Sequence, residues 1–345
     1  MTSTVEPKFE HLFRMTDDRG TFEHARYGAP RRAHGYCTDD LARVLVVAAR
    51  EPLPAPAVPG LARTSLRFLI DAQGDGGGYR NRSSRRGRWE DRPTLGDCWG
   101  RSIWGLGTAA SHSEDGWLRE VVTAEFERAV RQRSPYPRAM AFAALGAAKL
   151  LAVEPHHRGA HALLTDAADG MVPPHANTAW PWPEARLRYA NAVLPEAMVA
   201  AGAALDRPML LQHGLDLLAW LLDHKTVDSH LSVTPAGGAG PGDIRPVFDQ
   251  QPIEVAVLAD ACARRRLCSR GERRRRPALD RRSRRRKGLV PRRQRRSARH
   301  VGPGHGGWLR RLHTPGGANL NQGTESTLAL LSTLQHSRRL VMVSR

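Results

Sequence analysis

The chain has 345 residues, 41% of them hydrophobic, which allows one large domain or two average ones around a sizeable core. Four cysteines (Cys37, Cys98, Cys262 and Cys268) with no CxxC are too few and too scattered for a disulfide scaffold or a zinc knuckle. The first residues, MTSTVEPKFEHL, have neither a basic start nor an apolar run, and no stretch of about 18 apolar residues occurs, so a cytoplasmic protein without a membrane span is the expectation.

The formal charge of +19 is not spread over the chain. Between Arg264 and Arg311 stand twenty Arg and one Lys against Glu272 and Asp280, so this segment holds the whole excess and the remainder is neutral.

In chain order, one pattern recurs. A loop rich in Gly, Pro, Asp or aromatic residues leads into an Ala/Leu-rich helix. GYCTDD leads into LARVLVVAAR (35–50), GDCWGR into SIWGLGTAAS (96–111), and PYPR into AMAFAALGAAKLLAV (135–153). WPWPEARLRYAN leads into AVLPEAMVAAGAAL (180–205), FDQQP into IEVAVLADACA (248–263), and NLNQG into TESTLALLSTLQH (319–336). Further helical stretches lie between them, such as 208–225, where Leu211, Leu215, Leu218 and Leu222 keep one face apolar. No sustained alternation of β-branched residues appears. Helix pairs repeating every 40 to 70 residues or so, each with its polar loop at the same end, predict an all-α fold: an (α/α)6 toroid of helical hairpins. The inner helices start at one rim, and their leading loops converge on a central pocket.

Residues 264–312 break the pattern, with no apolar period of 2 or 3.6. Three readings compete: an arginine-rich arm binding RNA or DNA by counterion release, an inert solvated insertion, and a stretch translated out of frame from GC-rich DNA. The last is preferred, because the helix pattern stops abruptly at Ala263 and motif-like sequence resumes near Gly316 without a linker. The expected domain is a single toroid over 8–336, with one hairpin disrupted by this self-repelling, disordered block and short tails at 1–7 and 337–345.

The leading loops hold the candidate chemistry. Thr38 or Asp39 can cap a helix, which leaves a second adjacent acid, Asp40, to be explained. Asp97 stands beside Trp99 and Arg101. Arg138 follows Pro135 and Pro137 and could bind a carboxylate, a phosphate or only a neighbouring acid. Trp180 and Trp182, stiffened by Pro181 and Pro183, suit an aromatic rim on which sugar faces pack, with core packing as the alternative. Tyr189 and Asn191 precede the next helix. Asp249 and Glu254 flank Gln250, Gln251 and Pro252, the last fitting a first helical position. Glu325 follows Asn319, Asn321 and Gln322, and side-chain amides match sugar hydroxyls well. His156 and His157 read as a solvated pair. Metal spacing is absent, and neither metal nor cofactor is expected.

Taken together, TDDRGTFEHARYGAPRRAHGYCTDDLAR, GDCWGRSIWGLGTA, PRAMAFAALG, RYANAVLPEA, FDQQPIE and NLNQGTESTLALL resemble a bacterial family of six-hairpin, (α/α)6-toroid glycosidase-like proteins. Members are often described as glycosyltransferase-associated. The resemblance covers 8–263 and 314–336 and implies the toroid fold, a role in carbohydrate metabolism and a possible glycosyltransferase partner. It departs at 264–312, where the family has more of a hairpin and a Gly-rich aromatic loop.

The resulting expectation is a glycoside hydrolase-like enzyme acting on a glycan or glycoconjugate. Hydrolysis needs two carboxyl groups, and crowded acids keep one of them protonated. Asp97 with Glu254 is the expected acid/base pair, in a set that includes Asp40, Asp249 and Glu325. Asp39, Trp99, Arg101, Arg138, Trp180, Trp182, Tyr189, Asn191, Gln250, Gln251, Asn319 and Asn321 are the expected substrate contacts. The rivals are a sugar epimerase, which would want a His pair that none of these loops supplies, a terpenoid cyclase, which would want an aromatic cavity, and a non-catalytic sugar-binding module serving a glycosyltransferase. Nucleic-acid binding is the least favoured. Reading the coding DNA in a shifted frame should restore apolar periodicity between codons 264 and 312; a frame that restores none would end the out-of-frame explanation.

Overall fold

The computed structural model describes residues 6–52, 55–113, 116–171, 179–228, 230–243, 249–275 and 320–342. Six helices form an inner ring: α2 (Thr38–Ala49), α4 (Asp97–His112), α6 (Pro137–Leu151), α8 (Val193–Ala204), α10 (Pro252–Arg275) and α11 (Thr324–Met342). Each packs on the next, and α11 packs back on α2, so the ring closes. Outside it, α3 (Val58–Ala72) covers α2, α5 (Gly116–Ala129) covers α4, α7 (Arg158–Asp169) covers α6 and α9 (Pro208–Lys225) covers α8. The short α1 (Glu10–Arg14) lies against α11. This is the expected (α/α)6 toroid.

Composition separates the two layers. The inner α4 is buried over nearly its whole length, from Cys98 to Ala110, because neighbours flank it on both sides and α5 covers its back. The outer α3 buries one 3.6-period face, from Val58 through Leu61, Leu66 and Leu69 to Ala72. Glycine decides how closely the ring can pack. A methyl group at Gly107 would overlap the carbonyl of Gly146, and one at Gly146 would overlap the carbonyl of Ile103, so α4 and α6 touch backbone to backbone.

The rim loops are laced by short antiparallel pairs: β1 (Ala25–Arg26) with β2 (Ala29–Pro30), β3 (Tyr36–Cys37) with β4 (Arg82–Ser83), and β5 (Thr226–Val227) with β6 (His230–Leu231). The β3–β4 pair ties the loop before α2 to the loop before α4. Gly35, at φ +65°, is required there, because any side chain would strike the carbonyl of Ser83.

Farther from the rim, beside the ends of α2 and α6, the ring closes over buried charge. Arg50 Nη1 contacts Asp260 at 2.7 Å, and His336 reaches the same carboxylate. Against the cost of burial, Arg50 and the hydrogen bond from His336 hold Asp260 below the usual carboxylate range. Arg264 of α10 pairs at 3.0 Å with Glu196, in the first turn of α8. Burial, with Arg50 nearby, pushes Lys149 down to about 7.

Two sequence boundaries and one helix face move. α10 does not stop at Ala263 but runs to Arg275, and Arg264 is a packed residue of it; 276–319 lies outside the described residues. α11 continues through 337–342, where a tail was expected, and Arg338 binds Glu6 and Glu51. On α9 the buried stripe is Gly214, Leu217, Leu218, Leu221 and Lys225, leaving Leu211, Leu215 and Leu222 half-buried; Gly214 meets Pro195 and Met198 of α8, and the Leu211 backbone meets Gly202.

Replacing Gly146 with Ala forces α4 and α6 apart and should cost roughly 1–3 kcal/mol of stability, read as a lowered urea midpoint. An unchanged midpoint would mean that the two helices are not in backbone contact.

Candidate active site

The mouth is built from the first turns of the inner helices. On α2, Asp39 and Asp40 are consecutive, so a 100° turn sends their side chains different ways. Asp40 points inward, its carboxyl 3% exposed and 2.6 Å from Arg43, which also reaches Glu325 of α11 at 3.3 Å. Asp39 is 20% exposed and faces α4, with Arg101 Nε 3.5 Å from its Oδ1. Asn81 Nδ2 donates to its other oxygen. Neither acid caps α2 through its side chain; Thr38 instead donates to the carbonyl of Arg80.

Arg101 is shared. Its Nη2 lies 3.4 Å from Asp97 Oδ2 one turn back, and its guanidinium stacks over Phe142. Two carboxyls from different helices thus sit on one guanidinium, no farther apart than the roughly 9.5 Å that two-carboxylate hydrolysis spans. The Tyr189 phenol stands near Asp97; burial, then that carboxylate, raises the phenol to about 12. Ala190, at φ +47°, sets the segment between Tyr189 and Asn191 in the left-handed region.

Arg138 Nε donates to the Tyr189 carbonyl at 2.8 Å, and its two terminal nitrogens grip both oxygens of Glu184 at 2.7 Å. The acid that Arg138 binds is therefore its own neighbour in the fold. Asn191 Nδ2 donates to Glu254 Oε2 at 2.8 Å and to Thr234, while its Oδ1 accepts from Arg188 N. Glu254 is 2% exposed, and its Oε1 has no hydrogen-bond partner among the described residues.

The remaining sector comes from the chain before α2. Asn321 Oδ1 accepts from Ala25 N at 3.0 Å, and its Nδ2 lies 3.0 Å from His24 Nδ1. His24 meets His34 edge-on, with ring centroids 4.8 Å apart, and lies 3.6 Å from Glu23. Glu23 in turn pairs with Arg82. Glu23, Cys37 and Asp40 carry ligand-type atoms within 4.8 Å of one another. Arg82 and Arg43 already neutralise two of the three, which disfavours a cation there.

Burial pushes Asp39 up, against Arg101 and Arg43. Asp40 rises to about 7 through burial and the charges of Glu23 and Glu325, with Arg43 opposing. Glu254 rises to about 7 through burial, with Asn191 opposing.

The structure thus brings together Asp39, Asp97, Arg101, Arg138, Tyr189 and Asn191 on one side, and Asp40, Glu325 and Asn321 on the other. Corrections are needed among the aromatics. Trp99 is fully buried and donates to the Ala129 carbonyl. Trp182 is also fully buried, stacked on Trp220 and donating to Glu184, while Trp180 packs edge-on to Trp220 and donates to the Glu184 carbonyl. Their indoles serve the packing and the Arg138 clamp instead of forming an open aromatic rim. Gln250 bonds to Val233 N and Ser232, Gln251 to the Pro235 carbonyl, and Asp249, at φ +59°, accepts from Ala236 N through its carbonyl. Asn319 lies outside the described residues. His157 is not solvated; it caps α7 and packs on Phe126. Arg43, Asn81, Glu184, Glu23, His24 and His34 were not singled out from sequence. Arg43 alone had a local signal, the i,i+3 spacing from Asp40.

No protein-family model matches the chain, and no curated protein matches it. Solved structures do. A D-mannose isomerase aligns at 11% identity over 96% of this chain and 95% of its own, with a TM-score of 0.64. Cellobiose 2-epimerase from Bacillus thermoamylovorans aligns at 10% identity over 94% and 95%, with a TM-score of 0.62. An inactive variant of an α-1,6-mannanase from Salegentibacter, with two consecutive aspartates replaced and α-1,6-mannotetrose bound, aligns at 11% identity over 96% of each chain, with a TM-score of 0.57. At these identities the likeness is one of fold. Among the described residues, no helix is long and apolar enough to cross a membrane.

Glu254 gives the site a pH signature. The folded chain keeps a proton that the unfolded chain releases near 4.5, so folding is progressively disfavoured as pH rises from there through about 7. Glu254→Gln should leave stability at pH 4 nearly unchanged and gain on the order of 2–3 kcal/mol over the parent at pH 8. Urea titrations at the two pH values check this; parallel curves would mean that Glu254 is not buried as a neutral acid.

Proposed function

We propose that the chain is a carbohydrate-active enzyme of the toroid type that hydrolyses a glycosidic bond, with Asp39 and Asp97 as the working carboxyl pair. One observation carries this reading: two partly exposed carboxyls on adjacent inner helices share Arg101 at the mouth of the ring. Glu254, the expected partner of Asp97, is 2% exposed and held by Asn191, which suits a supporting acid better than one that touches substrate.

In this reading Asp39, whose proton affinity burial raises, donates to the leaving glycosidic oxygen. Asp97, oriented by Arg101, acts on the anomeric carbon or on the water that attacks it. Arg101 also keeps two neighbouring acids from repelling each other when the proton is lost. The consecutive aspartates whose replacement accompanies inactivity in the α-1,6-mannanase variant lend support, since Asp39 and Asp40 are such a pair at this mouth. The association with a glycosyltransferase rests on the sequence resemblance alone.

A second reading, sugar epimerisation or isomerisation, is favoured by the His24–His34 pair beside Glu23, a constellation that the sequence had not offered. It would move a proton at the carbon next to the anomeric centre instead of cleaving a bond.

The two readings separate in one experiment. Oligosaccharides and free aldoses are incubated with the chain in D2O, and products and deuterium incorporation are read by NMR. Hydrolysis predicts new reducing ends, reduced at least 1,000-fold by Asp97→Asn or Asp39→Asn and little affected by His24→Asn. Deuterium at carbon 2 that His24→Asn abolishes would overturn hydrolysis in favour of the second reading.

A further inference from the structure

Beside the mouth lies a cavity that the carboxylate chemistry does not use. It has a volume of about 380 Å³ and sits between α6, α7 and α8. Its floor is buried and apolar, formed by Ala141, Ala167, Leu194 and Met198, and its lip is exposed at Pro137 and Gly170. Glu184 is on its wall.

The charged groups around it are already satisfied. Both Glu184 oxygens accept from Arg138 at 2.7 Å, and one also accepts from the Trp182 indole. Arg133 and Asp166, at the edge, meet at 2.6 Å. The cavity therefore offers a ligand apolar surface and no unneutralised charge. It is also well above the roughly 150 Å³ that suffices for a benzene ring in a protein interior.

Its position links it to the chemistry. Glu184 on its wall is gripped by Arg138, whose Nε donates to the Tyr189 carbonyl at the mouth, so cavity and mouth share this clamp as a wall. We propose that this cavity is a subsite for the apolar aglycone of a glycoconjugate, an alkyl or aryl group carried by the sugar that the mouth binds. The assignment rests on the sugar reading and narrows its substrate class.

The test compares methyl and octyl glycosides of the same sugars, β-glucosides and α-mannosides, below their micelle concentrations, with 1-octanol alone as a third probe. Affinities are read by calorimetry on the parent chain and on Ala141→Leu and Ala167→Leu, which fill the floor. The octyl glycoside of the preferred sugar should bind at least tenfold more tightly than its methyl counterpart. Both fillings should remove that gain and leave methyl glycoside affinity unchanged. If a filling variant does not fold, 1-octanol should compete with the octyl glycoside in the parent. Equal affinities for methyl and octyl glycosides would overturn the subsite while leaving the sugar reading intact. A methyl–octyl difference that survives both fillings, or that octanol does not compete away, would also overturn it. If no glycoside binds, the sugar reading falls and the glycoconjugate assignment with it.

Discussion

The inner helices of this toroid all start at the same rim, and that shared direction governs where charge can stand. Each helix start carries a partial positive charge and each end a partial negative one. Six aligned starts favour carboxylates at the mouth, and Asp39, Asp40, Asp97, Glu254 and Glu325 all occupy first turns. The aligned ends favour cations, and Arg50 and Lys149 lie where α2 and α6 finish. The glycines that bring α4 and α6 into backbone contact hold the ring tight enough for neighbouring starts to face one another.

Crowding acids at one rim raises a repulsion that the fold answers with arginine. Arg43 stands between Asp40 and Glu325, Arg101 between Asp39 and Asp97, and Arg138 against Glu184. Within that lattice exposure sorts the acids. Asp40 and Glu254 are nearly sealed from solvent, and burial drives both toward neutrality, while Asp39 and Asp97 keep a face open. Asp39 and Asp40 are consecutive in the helix, and the 100° step between them is enough to give the two different surroundings.

The ring was legible because its signal is local and repeated: a polar loop, then an Ala-rich helix, six times over. The side that each rim residue faces was not, because it depends on partners far away in sequence. Trp182 looked like an exposed platform between prolines, but Trp220, 38 positions later, covers it. His24 and His34 lie in one block of the resemblance, but nothing in the sequence pairs them; they meet in the loop that Asn321 fastens to the rim. The start of the arginine block misled for a related reason. Arg264 reads as charge in a window of arginines, yet Glu196 on α8 makes it a packed residue.

That fastening has a consequence for how the protein is made. His11 donates to the Gln322 carbonyl, Thr324 donates to the carbonyls of Phe22 and Glu23, and Glu6 pairs with Arg338, each joining residues about three hundred positions apart. At ordinary translation speeds of roughly 5–20 residues per second, these early residues leave the ribosome about 15–60 s before their partners exist. Until then an open arc of apolar inner helices is exposed, and the two edges that will eventually meet are the surfaces most in need of a chaperone.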